Sequence, residues 1–194
     1  MKQKKQLFSL LIIFFIIGNF VFFPDVSIGQ GVKINIEANK KKCDKHTSEL
    51  VNFHALYKAQ NNLGLAQKSQ KVDLVKKMSV AAKARSQALD ALMQEDPQII
   101  FQLAMTPEQI EEFPQEVQVE LEEHVDMEGV LETIIKDYFD EGVSLTDHSL
   151  IVGDQRYSLH SSEEILDIVS GSRIQVKGIR VKKRIAVPQK GENK

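Results

Sequence analysis

The spacing of apolar residues from about Glu37 to Asp96 is that of α-helix. This segment is rich in Ala, Leu, Lys and Gln, contains no proline, and is weakened only at Gly64. In its second part, apolar residues recur at helical spacing with basic residues between them: Leu74, Met78, Ala81, Ala88 and Leu92, with Lys76, Lys77, Lys83 and Arg85. We therefore predict two helices, or one long interrupted helix, with a narrow alanine-rich face that packs within the protein. A partner-binding groove or a coiled coil is the alternative use of that face.

Three pairs that contain proline divide the next segment into short helices. Asp96-Pro97 ends the long helical segment and begins another helix, because aspartate is a favourable N-cap and proline fits the first helical position. Thr106-Pro107-Glu108-Gln109 has the Thr-x-x-Gln spacing of a capping box. Phe113-Pro114 breaks the chain again, and a short helix is predicted from about Gln115 to Glu123.

Beyond residue 124 the hydrophobic period changes from that of helix to that of strand. One face of the first predicted strand consists of Val125, Met127, Gly129, Leu131, Thr133 and Ile135. Gly129 falls where a barrel strand bends sharply or meets another backbone. A loop through Gly142 follows, and then two strands flank the tight hairpin signal Gly153-Asp154: residues 149–152 and 155–159.

A single helical turn over residues 161–168 and a turn at Ser170-Gly171-Ser172 precede the last two strands. In the fourth strand, four apolar residues share one face only if the chain slips by one residue at Lys177-Gly178: Ile174, Val176, Ile179 and Val181. Such a slip predicts a β-bulge. The fifth strand runs from Ile185 to Val187 and ends at Pro188.

The predicted order is three strands, a short helix and two strands, which is the order of the oligonucleotide/oligosaccharide-binding (OB) barrel. We therefore predict an α+β fold in which N-terminal helices precede a small OB-like five-stranded β-barrel. The predicted regions are a leader over residues 1–29, a helical region over 30–123, the β-domain over 124–188 and a polar tail over 189–194. A plain five-stranded antiparallel sheet packed on the helices is the alternative.

The first 30 residues have the pattern of an export signal. A lysine-rich start precedes an uncharged apolar run from Leu7 to Phe23. Ser27-Ile28-Gly29 places small residues at the first and third positions of a cleavage triplet, so the mature chain is expected to begin at Gln30. The alternative is an uncleaved membrane anchor over residues 7–23, since an apolar run 17 residues long is at the short limit of what spans a bilayer. Either way, the chain is predicted to be secreted or extracytoplasmic.

Composition adds constraints on the core and on the partner. Cys43 is the one cysteine, so no intramolecular disulfide forms and the core alone holds the fold. A disulfide to another chain is the alternative to a plain thiol. The 25 basic and 27 acidic residues nearly balance, but between Asp90 and Asp147 there are 17 acidic residues and one basic residue, Lys136.

The basic residues concentrate instead near the C-terminus: Arg173, Lys177, Arg180, Lys182, Lys183 and Arg184. The simplest account is internal, with acidic helices beside a basic strand edge, or two separately solvated faces. The functional account is a site for an anionic glycan, surface polymer or lipid head group, formed by these residues: Arg173, Lys177, Arg180, Lys182 and Tyr157. Nucleic acid is not expected, because single-strand binding needs stacking aromatics among the basic residues and this sheet offers little beyond Tyr157.

No familiar catalytic or metal-binding motif occurs in the sequence. His-Glu-x-x-His, Cys-x-x-Cys, Gly-x-Ser-x-Gly and Gly-x-x-x-x-Gly-Lys are all absent. The closest approaches to a metal cluster have generic spacings typical of solvated side chains: Glu122-Glu123-His124 with Asp126, and His160 with Glu163 and Glu164. We therefore predict that the chain is not an enzyme and that it holds no cofactor or metal.

The stretch from about Ala88 to Val187 carries motifs that resemble a known region: Ala91-Leu92-Met93, Asp96-Pro97, Thr106-Pro107, Phe113-Pro114, Glu122-Glu123, Val125-x-Met127-x-Gly129, Tyr157-x-Leu159-His160, Ser170-Gly171-Ser172 and Val176-x-Gly178. Together they resemble the N-terminal non-catalytic region of secreted gametolysin-like zinc metallopeptidases and of other large bacterial cell-surface proteins. The resemblance covers about half of the chain. It implies export, a helix-then-barrel layout and an accessory or propeptide-like module with no peptidase residues to carry over.

The leading functional expectation is an extracytoplasmic module that docks onto another exported protein or domain. The alternative is a barrel that binds an anionic polysaccharide through its basic strand. A membrane-tethered structural spacer is the third hypothesis, and it requires the leader to remain attached.

N-terminal sequencing of the protein recovered from its producing cells tests the leader. A chain that begins at Gln30 is the expected result, and it would exclude the tether. Recovery of a chain that retains residues 7–23 would contradict cleavage and establish the anchor.

Overall fold

The structure is a computed structural model that describes residues 28–63, 68–140, 142–162 and 168–188. Three sequence predictions fall outside the described residues: the apolar run over 7–23, most of the helical turn over 161–168, and the polar tail over 189–194. The chain divides into two compact units, Met1–Gly31 and Val32–Lys194, and the described strands all lie in the second unit.

Within the described residues, the helices come before the strands. The helices are α1 (Ile28–Leu63), α2 (Lys68–Glu95), α3 (Gln98–Leu103), α4 (Pro107–Glu111) and α5 (Gln115–Gln118). The strands are β1 (Glu123–Tyr138), β2 (Val143–Val152), β3 (Gln155–His160), β4 (Arg173–Val181) and β5 (Arg184–Ala186). The α+β class is confirmed, and the long helical segment contains two helices rather than one.

Local sequence explains where the short helices begin. The Thr106 hydroxyl accepts a hydrogen bond from the Gln109 amide, and the Gln109 side chain accepts one from the Thr106 amide, so the predicted capping box of α4 is confirmed. At the start of α3, Asp96 Oδ1 accepts from the Gln98 amide at 3.0 Å. These caps satisfy backbone donors that helices this short would otherwise leave unpaired.

The strands pair in a closed ring in the order β1-β2-β3-β5-β4 and back to β1. β1 is long enough to pair with two strands: residues 123–130 pair with β4, and residues 130–138 pair with β2. β3 and β5 run parallel, whereas the other pairs are antiparallel. The sheet is therefore mixed and closed, which excludes the plain antiparallel sheet.

Two glycines allow the strands to approach one another closely within this ring. A Cβ on Gly129 would lie 2.5 Å from the Ile151 carbonyl oxygen, and a Cβ on Gly178 would overlap the Ala186 carbonyl oxygen. Both positions therefore require glycine, because a larger residue would push the neighbouring strand away. The close backbone approach predicted at Gly129 is confirmed.

The bulge predicted at Lys177-Gly178 is wrong, because β4 pairs with β1 one residue to one residue through this point. Val176 packs in the ring interior. Ile179 and Val181 instead pack outside the ring, in a cluster with residues of α2 and α3. The apolar pattern changes sides because helices cover the outer face of β4 at its C-terminal end, where Ile179 and Val181 are buried.

Three apolar clusters form the interior. The ring encloses Val125, Leu131, Leu150, Tyr157, Leu159, Val176 and Ile185. The helices and the ring share Cys43, Ala88, Leu89, Leu92, Met93, Ile100, Ile179, Val181 and Ala186. The helical end of the molecule contains Leu50, Met78, Ala81, Ala82, Met105, Phe113, Val117 and Leu121. The predicted alanine-rich face of α2 therefore packs within the protein.

Cys43 lies in the cluster shared by the helices and the ring, with 1% of its surface exposed. Burial raises the pKa of the Cys43 thiol, and the Arg85 charge opposes that rise only in part. The thiol is therefore protonated and inaccessible in the folded protein, which disfavours the disulfide to another chain.

A buried ion pair joins the helices to the first strand. The side chains of Arg85 on α2 and Glu122 before β1 are both 0% exposed, and Arg85 Nη1 donates to Glu122 Oε2. Arg85 also donates to Thr47 Oγ1 on α1 at 2.9 Å and to the Leu103 carbonyl oxygen at 2.6 Å. Glu122 Oε1 accepts from the Met105 amide at 2.7 Å. The helix predicted from Gln115 to Glu123 stops at Gln118, so Glu122 lies beyond its end.

Arg85→Met is expected to lower the free energy of unfolding by about 3–5 kcal/mol, because Glu122 would stay buried without its partner charge. The double variant Arg85→Met/Glu122→Gln removes both charges and keeps an acceptor for the Met105 amide, so it should be more stable than the single variant. Urea unfolding measures both values.

Lys83→Met on the exposed side of α2 is the matched control, with an expected change within about 0.5 kcal/mol. A double variant no more stable than Arg85→Met would contradict the buried-charge account.

Candidate functional site

The basic residues of β4 lie beside carboxylates of β1. Pairing of the two strands places acidic residues next to basic ones on the outer surface of the ring. Arg173 contacts Glu128 at 3.4 Å, and Lys177 contacts Asp126 at 3.4 Å. Both pairs are exposed, so each adds little to stability. They nevertheless place a negative charge beside each of these cations.

Arg180 and Tyr157, two of the predicted ligand-binding residues, contact each other. Arg180 Nη2 donates to Glu123, while Arg180 Nη1 donates to the Tyr157 hydroxyl at 3.4 Å. The Arg180 guanidinium and the Lys183 ammonium lie 5.6 Å and 5.2 Å from the centre of the Tyr157 ring. Tyr157 itself is buried in the ring interior, so the structure does not present it as an open stacking surface.

Lys182 lies in the turn between β4 and β5 rather than on the strand. Its φ of 56° is in the left-handed region, and its ammonium contacts Asp90 of α2 at 3.4 Å. Arg184 contacts the same carboxylate at 2.5 Å. The expected neighbourhood of acidic helix and basic strand edge therefore exists at this point, where Asp90 joins α2 to the ring.

The acidic and histidine groups considered as metal ligands point to separate partners. Glu122 pairs with Arg85, whereas His124 Nε2 donates to the Met105 carbonyl oxygen at 2.8 Å. Asp126 accepts a hydrogen bond from Gln175 at 2.6 Å. Glu163 and Glu164 lie outside the described residues. Across the described ranges, no three His, Cys, Asp or Glu side chains are grouped as a metal site.

A trough that the sequence did not indicate lies on the outer surface of β2 and β3. Its volume is about 700 Å³. The walls come from the end of β1, from Gln94 near the end of α2 and from Arg184 of β5. Its floor contains outward-facing residues of β2 and β3: Leu145, Asp147, Ser149, Arg156, Ser158 and His160. We call this feature the β2–β3 trough.

Part of the β2–β3 trough was hidden from sequence reasoning because β2 begins six residues earlier than predicted, at Val143 instead of Ser149. The earlier residues of β2 lack a strong apolar alternation, since much of this segment is exposed on both faces. The one available signal was the alternation Arg156, Ser158, His160, which places three polar side chains on one face of β3.

The His160 imidazole lines the trough and has a shifted pKa. Burial lowers the pKa of the His160 imidazole from its ordinary value of 6.5, and the Arg184 charge lowers it further. Asp90 and Asp147 oppose this shift. His160 Nε2 is buried and has no hydrogen-bond partner among the described residues. The imidazole is therefore neutral at physiological pH.

Towards their connecting loop, β1 and β2 form a two-stranded hairpin with exposed apolar side chains, and part of this hairpin also lines the trough. We call residues 134–147 the hairpin end. Ile135 is 63% exposed and Phe139 is 89% exposed, with Tyr138 and Leu145 also open to solvent. β3 pairs with β2 only from His148 onward, and β4 pairs with β1 only up to Val130. The hairpin end therefore lacks strand neighbours on either side among the described residues.

No protein family model, curated protein or solved structure matches the chain. The resemblance to the region that precedes gametolysin-like peptidases thus stays a prediction. Of the helices in the described part of the chain, none has the length and apolar character needed to cross a bilayer.

The lowered pKa of His160 predicts a loss of stability in acid. The unfolded chain takes up a proton near pH 6.5, whereas the folded protein does so at lower pH. Stability is therefore full above about pH 6.5 and falls as the pH drops from there towards the folded pKa. Urea midpoints from about pH 8 to about pH 5 should fall less in His160→Gln than in the wild type.

His46→Gln serves as the control, because it removes a histidine on α1 that does not line the trough. Parallel pH profiles for the wild type and His160→Gln would contradict the lowered pKa.

Proposed function

We propose that this chain is a non-catalytic binding module that works outside the cytoplasm and docks onto another exported protein or domain through its hairpin end. The main observation in support of this proposal is the exposed apolar surface of four residues: Ile135, Tyr138, Phe139 and Leu145. Exposed aromatic residues of this kind are the usual anchors of protein interfaces, since burying them in a partner removes much apolar surface from water.

The charges near the hairpin end support a protein partner whose apolar pocket has a basic rim. Asp137 accepts a hydrogen bond from Ser144 at 2.6 Å, and neither Asp137 nor Asp140 has a basic partner among the described residues. Lys136 is already paired with Asp147 at 2.5 Å. The acidic side chains beside Phe139 also disfavour an anionic membrane surface, because like charges repel.

The ring topology supports an OB-type barrel as the frame of this module. A first strand shared between β2 and β4, together with closure of the ring between β3 and β5, agrees with a five-stranded Greek-key barrel of that type. Gly129 supports the sharp bending that such closure needs.

The anionic polysaccharide alternative has less support from the contacts of β4. Each basic residue proposed for it lies against a carboxylate or hydrogen-bonds one: Arg173, Lys177, Arg180 and Lys182. An anionic polymer would have to compete with those carboxylates and would meet their negative charge. The predicted leader and the resemblance to an accessory region both favour an exported docking module.

Photocrosslinking from the hairpin end tests this proposal. A photoreactive phenylalanine analogue placed at Phe139 is expected to give a discrete adduct with one exported protein, identified by mass spectrometry. The same analogue at Val80, an exposed apolar residue on α2, should give none. Phe139→Ser should then weaken binding of that purified protein at least about tenfold, the effect of losing an aromatic anchor.

Arg173→Ala/Lys177→Ala should leave that binding unchanged. Equal adducts from both positions, or loss of binding with the basic-strand variant alone, would overturn docking through the hairpin end.

A further inference from the structure

The β2–β3 trough contains two hydroxyl groups side by side. Ser149 and Ser158 are directly paired residues of neighbouring strands, so both side chains stand on the same outer face. Both side chains line the trough, and neither hydroxyl forms a side-chain hydrogen bond with another described residue. Paired hydroxyls at this spacing can donate to and accept from a ligand that crosses the two strands.

The charges around the trough are balanced in pairs. Lys136 contacts Asp147 at 2.5 Å, and Arg156 contacts Glu132 at 2.6 Å. Arg184 contacts Asp90 at 2.5 Å. Each of these cations thus has a carboxylate beside it, so a ligand in the trough meets paired charges rather than free ones. Each ion pair also places a hydrogen-bond donor next to an acceptor. Adjacent hydroxyls of a neutral sugar can bind such a pair, because each hydroxyl both donates and accepts.

Two further features fit an uncharged, hydroxyl-rich ligand. His160 lines the trough as a neutral imidazole, and its buried Nε2 has no hydrogen-bond partner among the described residues. A ligand hydroxyl would supply that partner after a small side-chain movement. At the other end, Ile134 and Leu145 provide an apolar surface of the kind that packs against the C–H face of a sugar ring.

From this arrangement we propose that the β2–β3 trough binds a neutral oligosaccharide, held by Ser149, Ser158 and the paired charges across the strands. The site is separate from the basic surface of β4, and the ligand is uncharged rather than anionic. Leu145 belongs to both the hairpin end and the trough, whereas Phe139 does not line the trough, so variants of Phe139 and of the two serines test docking and sugar binding separately.

Binding of three neutral hexasaccharides to the purified full chain tests the proposal: maltohexaose, cellohexaose and chitohexaose, with hexagalacturonate as the anionic comparison. Titration calorimetry should show binding of at least one neutral sugar with a Kd of about 1 mM or tighter, and weaker or no binding of hexagalacturonate. The imidazole signals of His160 should shift on binding in NMR spectra.

Ser149→Ala/Ser158→Ala should weaken that binding about tenfold or more, because two hydrogen bonds are lost. Phe139→Ser and Lys177→Ala should bind as the wild type does, so failure of the docking proposal leaves this one intact. The proposal is overturned if none of the neutral sugars binds or if the double serine variant, shown to be folded by circular dichroism, binds unchanged. Tighter binding of hexagalacturonate that is lost in Lys177→Ala would likewise overturn it.

Discussion

The buried contact between Arg85 and Glu122 determines how the helical half meets the ring. Removing two charges from water is costly, and the cost is offset only where every donor and acceptor finds a partner. Here the guanidinium reaches α1, the segment after α3 and Glu122, while the carboxylate also accepts from a backbone amide. These elements therefore cannot shift relative to one another, since any shift would leave a buried charge without its hydrogen-bond partners.

Glu122 immediately precedes β1, so its position fixes the start of the strand that the whole ring is built around. From there, β1 pairs with β4 along one half and with β2 along the other. The cluster that includes Leu92, Ile179 and Ala186 then holds the helices against β4 and β5. Among the described residues, the helices cover this part of the ring and leave the outer surface of β2 and β3 and the hairpin end uncovered. Both candidate sites lie there.

Folding also changes the meaning of the charge distribution along the chain. In sequence, an acidic middle segment and a basic end are well separated. In the ring they become neighbours, because β1 carries the acidic side chains and pairs with basic β4. Asp90 plays the same part from α2 by contacting Lys182 and Arg184. These contacts match the interpretation in which the acidic and basic segments pair with each other inside the molecule. Surface ion pairs of this kind contribute more to the specificity of recognition than to the stability of the fold.

Several features followed from sequence because they depend on neighbouring residues alone. The capping box at Thr106, the tight turn at Gly153 and the inward face of β1 from Val125 to Leu131 are set by local hydrogen bonding and by period-two alternation. The predicted face continues to Ile135, which is exposed because the ring ends before it. The need for glycine at position 129 was also readable from its place on that face.

Other features were decided only when distant segments met. Arg85 lies at helical spacing between Ala81 and Ala88, which indicates that it faces inward. A buried arginine is stable only with a partner charge, and Glu122, which supplies that charge, is brought opposite by the fold. The change of sides along β4 depends on helices that cover one end of the strand. The trough depends on side chains from β1, β2, β3, β5 and α2 together. Local patterns record which residues prefer burial or a turn, whereas which surfaces are covered, paired or left open is determined by contacts between residues far apart in the chain.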